Sequence, residues 1–393
     1  MGQQIETLAR FVAETALEQV PADVRRYAKL VALDTIGVVL AGADRPEVRA
    51  LRDRLVATAG TGATILAPGW PAADPRTAAL LNGIAGRAIE LGEGHRYVSY
   101  QGAMQILPGV LGVGEASGRS GADMLAALIL GYDAGARLGA AMKTRPLAHQ
   151  NGQAALLGAA AAGARLRGLG AADTSLAMRL ATTLVLTPSY NNAVNGATTL
   201  NVAGGMSGLA LSLAPDLALA GFTAQADAIE EALGNLVGDG FDASTLLERL
   251  GTRWEITRNW LRLRACCNPI YAALDALEQT VADLEAKADE VARIDVATFR
   301  FASVMRNPDP PNYFASKYSL PHVAACLVVR GSAGYAAVDD SALGDHAIVA
   351  MRHRVHIAED PAMNPSVPAL KPARVTLTLN DGRQATRSCD SPR

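Results

Sequence analysis

The sequence predicts a mainly α protein in two lobes, a large all-helical domain followed by a smaller α+β domain. Three observations carry that expectation. The chain has 393 residues, beyond the roughly 250 to 300 at which a single hydrophobic core stops growing. From the N-terminus to about residue 260, apolar residues recur three and four apart with Gly, Pro and Asn as punctuation, which is the period of a helix face. After residue 285 the texture turns to alternating apolar and polar residues, the period of a half-buried strand. The expected domains are 1–262 and 263–393.

Taken in order, the start "MGQQIETLARFVAETAL" is amphipathic. "PADVRRYAKLVALDTIGVVLAG" reads as a helix that Pro21 opens, with Val24, Tyr27, Leu30 and Leu33 along one face and Gly42 just past its end. Further helices are expected at 76–89, 106–118, 121–142, 150–168, 172–185, 200–214 and 223–235, the second of these started with the help of Pro108. In the second lobe "VARIDVATFRFA" and "PARVTLTLNDGRQATRS" read as strands, with a turn signal at Asp381-Gly382. Helices are expected there at 270–286 and at 315–330, where Gly331 is the stop.

Composition narrows the function classes. With 36 basic and 38 acidic residues the formal net charge is -2 and no basic stripe appears, so nucleic acid is not an expected partner. The N-terminus carries acids from residue 6 and lacks the basic flank of a secretory signal. Met1-Gly2 begins a weak match to a myristoylation signal, but residue 6 is Glu where Ser or Thr is wanted. The apolar windows "LVALDTIGVVLAGA" and "AALLGAAAAGARLRGL" are broken by Asp34, Arg165 and Arg167 before the ~20 residues of a membrane span. The expectation is a soluble cytoplasmic protein with no membrane partner, and Cys266, Cys267, Cys326 and Cys389, without CxxC spacing, suit a reducing compartment.

Three segments concentrate chemistry. "ELGEGHRYVSYQGAMQILPG", residues 90–109, packs Glu90, Glu93, His95, Arg96, Tyr97 and Tyr100 into one connection between helices, a mixture able to shift pKa values. Such a loop is also what a solvated helix-to-helix connection looks like. "TRPLAHQNGQAALLGAAAAG" sets His149, Gln150 and Asn151 directly before an Ala-rich helix, where backbone N–H groups favour a neutral imidazole or a nearby anion. A capping or packing role is the plainer reading of His149. "NWLRLRACCNPIYAALDAL" places Arg262 and Arg264 before a Cys-Cys-Asn-Pro turn and Tyr271 on the next helix. A guanidinium fork suits a carboxylate, though it equally suits a surface ion pair. The run 189–205 is a polar loop leading into a helix. No HxxxH, HExxH, GxGxxG or P-loop spacing is present, so no metal or organic cofactor is expected.

Together these segments resemble the MmgE/PrpD family. The landmarks are "LDTIGVVLAG" at 33–42, "LNGIAGRAIELGEGHRY" at 81–97, "GYDAGARLG" at 131–139, "HQNGQAALLGAAAAGARLRGL" at 149–169, "LRACCNPIYAALDAL" at 263–277 and "SKYSLPHVAACLVVRG" at 316–331, in order and over most of the chain. The resemblance implies a helical domain joined to a smaller α+β lid, a substrate cleft between them, a homodimer, and cofactor-free removal or shift of a proton beside a carboxylate, as in 2-methylcitrate dehydratase, cis-aconitate decarboxylase and iminodisuccinate epimerase. His149 matches the family's histidine before the Ala-rich helix. Elsewhere the match departs. The acid pair reads Gly92-Glu93, and the His-Pro-Gly place reads Gln101-Gly102-Ala103. Thr198 and Asn201 stand where Lys or Arg and His are common, Arg262 stands for a lysine, Tyr271 for a histidine, and Asn268 for Arg or His. Relative to the family the chain is also expected to be shortened at its C-terminus, after "SCDSPR".

The implied function is a lyase or isomerase working by proton abstraction, that is dehydration, decarboxylation or epimerisation, on a small substrate less acidic than a tricarboxylate. His149 would be general base or acid, with Tyr271 or His95 opposite. Glu90, Glu93, Arg96, Gln101, Asn151, Thr198, Asn201, Arg262, Arg264, Asn268 and Lys317 would bind substrate. Two alternatives stay open: a pocket repurposed for elimination, isomerisation or cyclisation of a largely neutral biosynthetic intermediate, and a non-catalytic binding protein.

Overall fold

The computed structural model describes residues 2–58, 60–367 and 369–392, so Met1 of the start and Arg393 of the C-terminal run lie outside the described residues. The chain forms two compact units, one of residues 1–190 and 198–262 and one of 191–197 and 263–393. The fold is mainly α, as expected from the sequence, with the sheet confined mostly to the second unit.

The first unit is a helical bundle: α1 (Gly2–Glu14), α2 (Ala22–Gly42), α3 (Pro46–Leu55), α4 (Pro75–Arg87), α5 (Ala103–Ala116), α6 (Gly121–Ala141), α7 (Ala154–Leu166), α8 (Ala171–Leu180) and α9 (Val202–Leu219). Two short antiparallel ribbons interrupt the all-helical expectation, β1 (Gly94–His95) with β4 (Asn259–Trp260) and β2 (Met142–Thr144) with β3 (Gly238–Phe241). The expected helix at 223–235 is instead a single turn, Ala228–Glu230, continued as a π-helix, Glu231–Leu236. α6 and the segment Thr198–Leu219 are long and apolar enough to cross a membrane, yet most of their length is buried inside the bundle.

Close backbone approach explains which helix faces are inside. On α2 the buried residues are Val24, Ala28, Val31, Thr35, Val38, Val39 and Gly42, whereas Leu30 and Leu33 are 50% and 67% exposed. The expected face is therefore rotated. Gly42 lies inside the helix rather than past its end, because a Cβ there would run into the Ala85 carbonyl: α2 meets α4 across its small residues, and the bulkier leucines are left outside. α4 and α9 cross in the same way, with Gly83 and Gly204 backbone to backbone. Going up α9 from Gly204 to Gly208, the facing residues on α4 descend from Gly83 to Ala79, so the two helices are antiparallel.

The second unit has a four-stranded sheet in the order β6-β5-β7-β8 (β5, Val291–Thr298; β6, Val355–Glu359; β7, Ala373–Leu379; β8, Gln384–Cys389). β5 pairs parallel with β6 and antiparallel with β7, and the Asp381-Gly382 turn joins β7 to β8. Ala373, Val375, Leu377 and Leu379 alternate inward, and α10 (Tyr271–Leu284) packs on the hairpin. α11 (Leu320–Arg330) ends at left-handed Gly331, φ 70°, and packs against α12 (His346–Arg352). The passage 191–197 is tied into this unit by Asn312, whose Nδ2 donates to the Gly196 carbonyl at 3.0 Å.

Candidate functional site

Three helix N-termini meet at one end of the first unit, and a buried glutamine joins them. Gln105, in the first turn of α5, has no exposed surface. Its Oε1 accepts from the Gly152 N–H at 2.8 Å, just before α7, and from Ser207 Oγ at 3.2 Å on α9. Its Nε2 donates to the Gln101 carbonyl at 2.6 Å and, at 3.5 Å, to Asn151 Oδ1. A buried amide has to find partners on both its faces, and here those partners belong to the starts of α5 and α7 and to the second turn of α9, where the Ser207 hydroxyl also lies 3.0 Å from the Ala203 carbonyl. Because α4 runs antiparallel to α9, its last residue Arg87 reaches the same end as Asn201, the N-cap of α9. Helix N-termini present unpaired N–H groups and a positive dipole end, so their convergence favours negative charge.

His149 lies beside this junction, 2% exposed. Its ring stacks on Tyr190 with centroids 5.5 Å apart and planes 14° from parallel. Nδ1 accepts from the Asn151 N–H at 3.2 Å. Burial, then the positive charge of Arg87, lowers its pKa from 6.5 to about 3; Glu90 opposes the shift and Arg262 adds to it. The ring is therefore neutral near pH 7. With Nδ1 accepting, its hydrogen sits on Nε2.

Glu90 holds the two arginines. It is buried and left-handed, φ 52°, a conformation costing a non-glycine residue about 1 to 3 kcal/mol that surrounding bonds must offset. Its carboxylate accepts from Arg87 and, at 2.5 Å, from Arg262, which also donates to the Glu90 carbonyl at 2.8 Å. Burial alone would raise its pKa, but Arg262 and Arg87 hold it well below the usual carboxylate range.

The rest of the 90–109 loop does other work. Glu93 Oε1 accepts from the Ala103 N–H at 2.7 Å and so caps α5, while Oε2 takes Tyr132 Oη at 3.1 Å and Asn259 Nδ2 at 3.2 Å. Burial pushes this carboxyl up to about 7, against the donors that favour its charged form. His95, a sequence candidate for the opposite proton carrier, has both nitrogens committed: Nδ1 accepts from the Tyr97 and Val98 N–H groups, each at 3.2 Å, and Nε2 donates to Glu255 at 3.0 Å. It clamps the loop to the β4 region. Arg96 and Thr198 are exposed, and Arg96 is engaged with Asn259 and Arg258 backbone.

The remaining candidates belong to the second unit and have local partners. Arg264 pairs with Asp275 at 2.7 Å and Glu278 at 2.8 Å. Tyr271 Oη donates to the Arg264 carbonyl, and Asn268 Oδ1 accepts from Lys371. Lys317 is buried, donates to the Val338 carbonyl and lies 3.9 Å from the Tyr313 ring centroid.

Of the residues singled out from sequence, the first unit thus gathers His149, Asn151, Gln101, Asn201, Glu90 and Arg262. Sequence reasoning passed over Arg87, Gln105, Gln153, Ser207 and Tyr190; a glutamine inside the apolar run "AMQILPG" was the available signal, since a buried amide needs a reason. Four amides at this end remain unsatisfied among the described residues: Gln101 Nε2, Asn151 Nδ2, Gln153 Nε2 and Oε1, and Asn201 Nδ2 and Oδ1, all on buried side chains. Leaving a buried donor or acceptor unmet costs about 1 to 3 kcal/mol. Several in one place point to a bound molecule that meets them.

Comparison with known proteins agrees with this architecture. The models of the MmgE/PrpD N-terminal domain and C-terminal domain match residues 6–244 and 265–393. The chain is similar to the cis-aconitate decarboxylase-like protein oryM of Aspergillus oryzae, 26% identical over 71% of this chain and 61% of that protein, and so spans about three fifths of that relative's length. It is also similar to the cis-aconitate decarboxylase of Aspergillus terreus, 22% identical over 98% of this chain and 84% of the relative. With both domain models matched over most of its length, the chain belongs to the MmgE/PrpD family, whose members include lyases such as dehydratases and decarboxylases.

Proposed function

We propose that the chain is a cofactor-independent lyase or isomerase that labilises a proton beside a carboxylate or carbonyl of a small substrate carrying fewer charges than a citrate-type tricarboxylate. The observation that carries this reading is the neutral His149, its Nε2 hydrogen available, beside three helix N-termini and four unsatisfied amides. Removing a proton next to a carboxylate loads negative charge onto oxygen, and fixed N–H donors in a dry site stabilise that charge as it develops. In this reading His149 works on the oxygen side. Its Nδ1 is held by the Asn151 N–H, so accepting a second proton there would break that bond, whereas Nε2–H can donate to an enolate-like oxygen at once. The low acidity of the substrate is supported by chemistry at the replaced positions: Gln101 and Asn201 are uncharged, and the guanidinium groups of Arg87 and Arg262 are both engaged by Glu90.

The test is solvent exchange. Crotonate, itaconate and cis-aconitate, incubated with enzyme in D2O, are followed by proton NMR for product or for loss of signal at the carbon whose deprotonation gives an enolate or dienolate, the γ-methyl of crotonate and the methylene of the other two. Wild type is expected to exchange or convert a mono- or diacid faster than cis-aconitate. His149→Gln should lower that rate about 10² to 10⁴-fold while the melting temperature stays close to wild type. Equal rates for the two proteins would remove His149 from the chemistry and the reading with it. Preference for cis-aconitate would overturn the assignment of a less acidic substrate.

A further inference from the structure

We propose that Gln105 is a positioning residue that sets the chemical preference of this site: it turns the Asn151 amide so that its NH2 group, with that of Gln101, faces the ligand and selects an acceptor-only carboxylate over an amide. The inference rests on the reading of this cluster as the substrate site. It begins from two backbone groups whose identities leave no choice. The Gly152 N–H can only donate and the Gln101 carbonyl can only accept, and they lie at 2.8 and 2.6 Å from the two ends of the Gln105 amide. Oε1 must therefore face Gly152 and Nε2 must face Gln101. Nε2 also faces Asn151 at 3.5 Å, and a donor there holds the Asn151 oxygen toward it. The Asn151 Nδ2 is then directed away, buried and without a partner among the described residues, as is Gln101 Nε2. Both present two hydrogens and no lone pair beside helix ends that themselves offer N–H groups. A carboxylate meets all of these with lone pairs; a primary amide must bring one NH2 into a field of donors.

The experiment compares crotonate with crotonamide, which share a shape and differ in whether the terminal group can donate. Side-chain amide resonances of the 15N-labelled full chain, with Asn151 and Gln101 assigned by Asn151→Asp and Gln101→Glu, report binding without needing turnover. In wild type both resonances are expected to shift, with crotonate bound more tightly. Gln105→Glu keeps an acceptor for Gly152 but sets an oxygen against Asn151 Oδ1, turning that amide over. The crotonate to crotonamide affinity ratio should then fall by about tenfold or more, with crotonamide binding retained. Gln105→Met, nearly isosteric, removes the orienting donor and should move the ratio the same way; it decides the question if Gln105→Glu does not fold. A residue that merely stabilises the fold would weaken both probes alike and leave the ratio unchanged, and that result overturns the role of Gln105 while the site stands. If crotonate shifts neither resonance in wild type, the site reading falls and the positioning role falls with it.

Discussion

A histidine that burial and Arg87 keep neutral ties the protein's stability to pH in a definite direction. The unfolded ring takes up a proton below about pH 6.5 and the folded one only near 3, so between those values the unfolded state binds more protons and stability falls as pH falls. It is present in full above about 6.5. Wild type should lose about 2 kcal/mol between pH 7 and pH 5 from this group alone, a loss that His149→Gln should not show when the two are compared by urea denaturation at both pH values. Glu90 acts in a lower window. Its carboxyl is held below its unfolded value of 4.5, so what it contributes is complete above that pH and declines below it. Glu90→Gln, which removes the charge both guanidinium groups face, should destabilise by about 3 to 5 kcal/mol at pH 7. A change under 1 kcal/mol would mean that the arginines are supported mainly by other groups. His149 and Glu90 were both legible in the sequence as candidates. What the sequence did not carry is that the first is neutral because it is buried, with the arginine partners of the second adding to the effect.

Helix starts and faces show where local signals gave way to tertiary ones. Pro108 suggested a helix beginning near 106, but α5 begins at Ala103 and contains Pro108, because Glu93, ten residues upstream, receives the Ala103 N–H and supplies the cap that a local signal would have placed later. On α2 the periodicity was right and the phase was wrong, since close packing on α4 selected Ala, Val, Thr and Gly rather than Leu. Gly42→Ala should therefore cost about 2 to 4 kcal/mol by forcing α2 off the Ala85 carbonyl, whereas Leu33→Lys should change stability by less than about 1 kcal/mol. Chemical denaturation of the two variants distinguishes them, and a tolerated Gly42→Ala would show that the helices can separate at that crossing. The amide junction was the least legible part: Gln105 and Ser207 are buried polar residues in the largely apolar helices α5 and α9 and Gln153 directly precedes α7, brought together only when the helices align.

At the scale of the molecule, the change of texture after residue 285 anticipated the α+β unit, and β5, β7 and β8 fall where alternation placed them, while β6 and α12 passed unnoticed between them. All three tryptophans, Trp70, Trp254 and Trp260, lie in the first unit. Tryptophan fluorescence should thus follow the unfolding of that unit alone while far-ultraviolet circular dichroism follows both, and midpoints in urea are expected to differ between the two probes; superimposed curves would mean one cooperative transition. Residues 191–197 add a covalent constraint. They sit in the second unit, held by Asn312, yet are joined at one end to Tyr190 and at the other to the turn carrying Asn201. No single cut yields the two units as separate polypeptides: a piece ending at 262 would carry seven residues that have lost Asn312, and its complement would keep Asn312 with nothing to grip. Anyone wishing to express either half alone would have to reroute the backbone first.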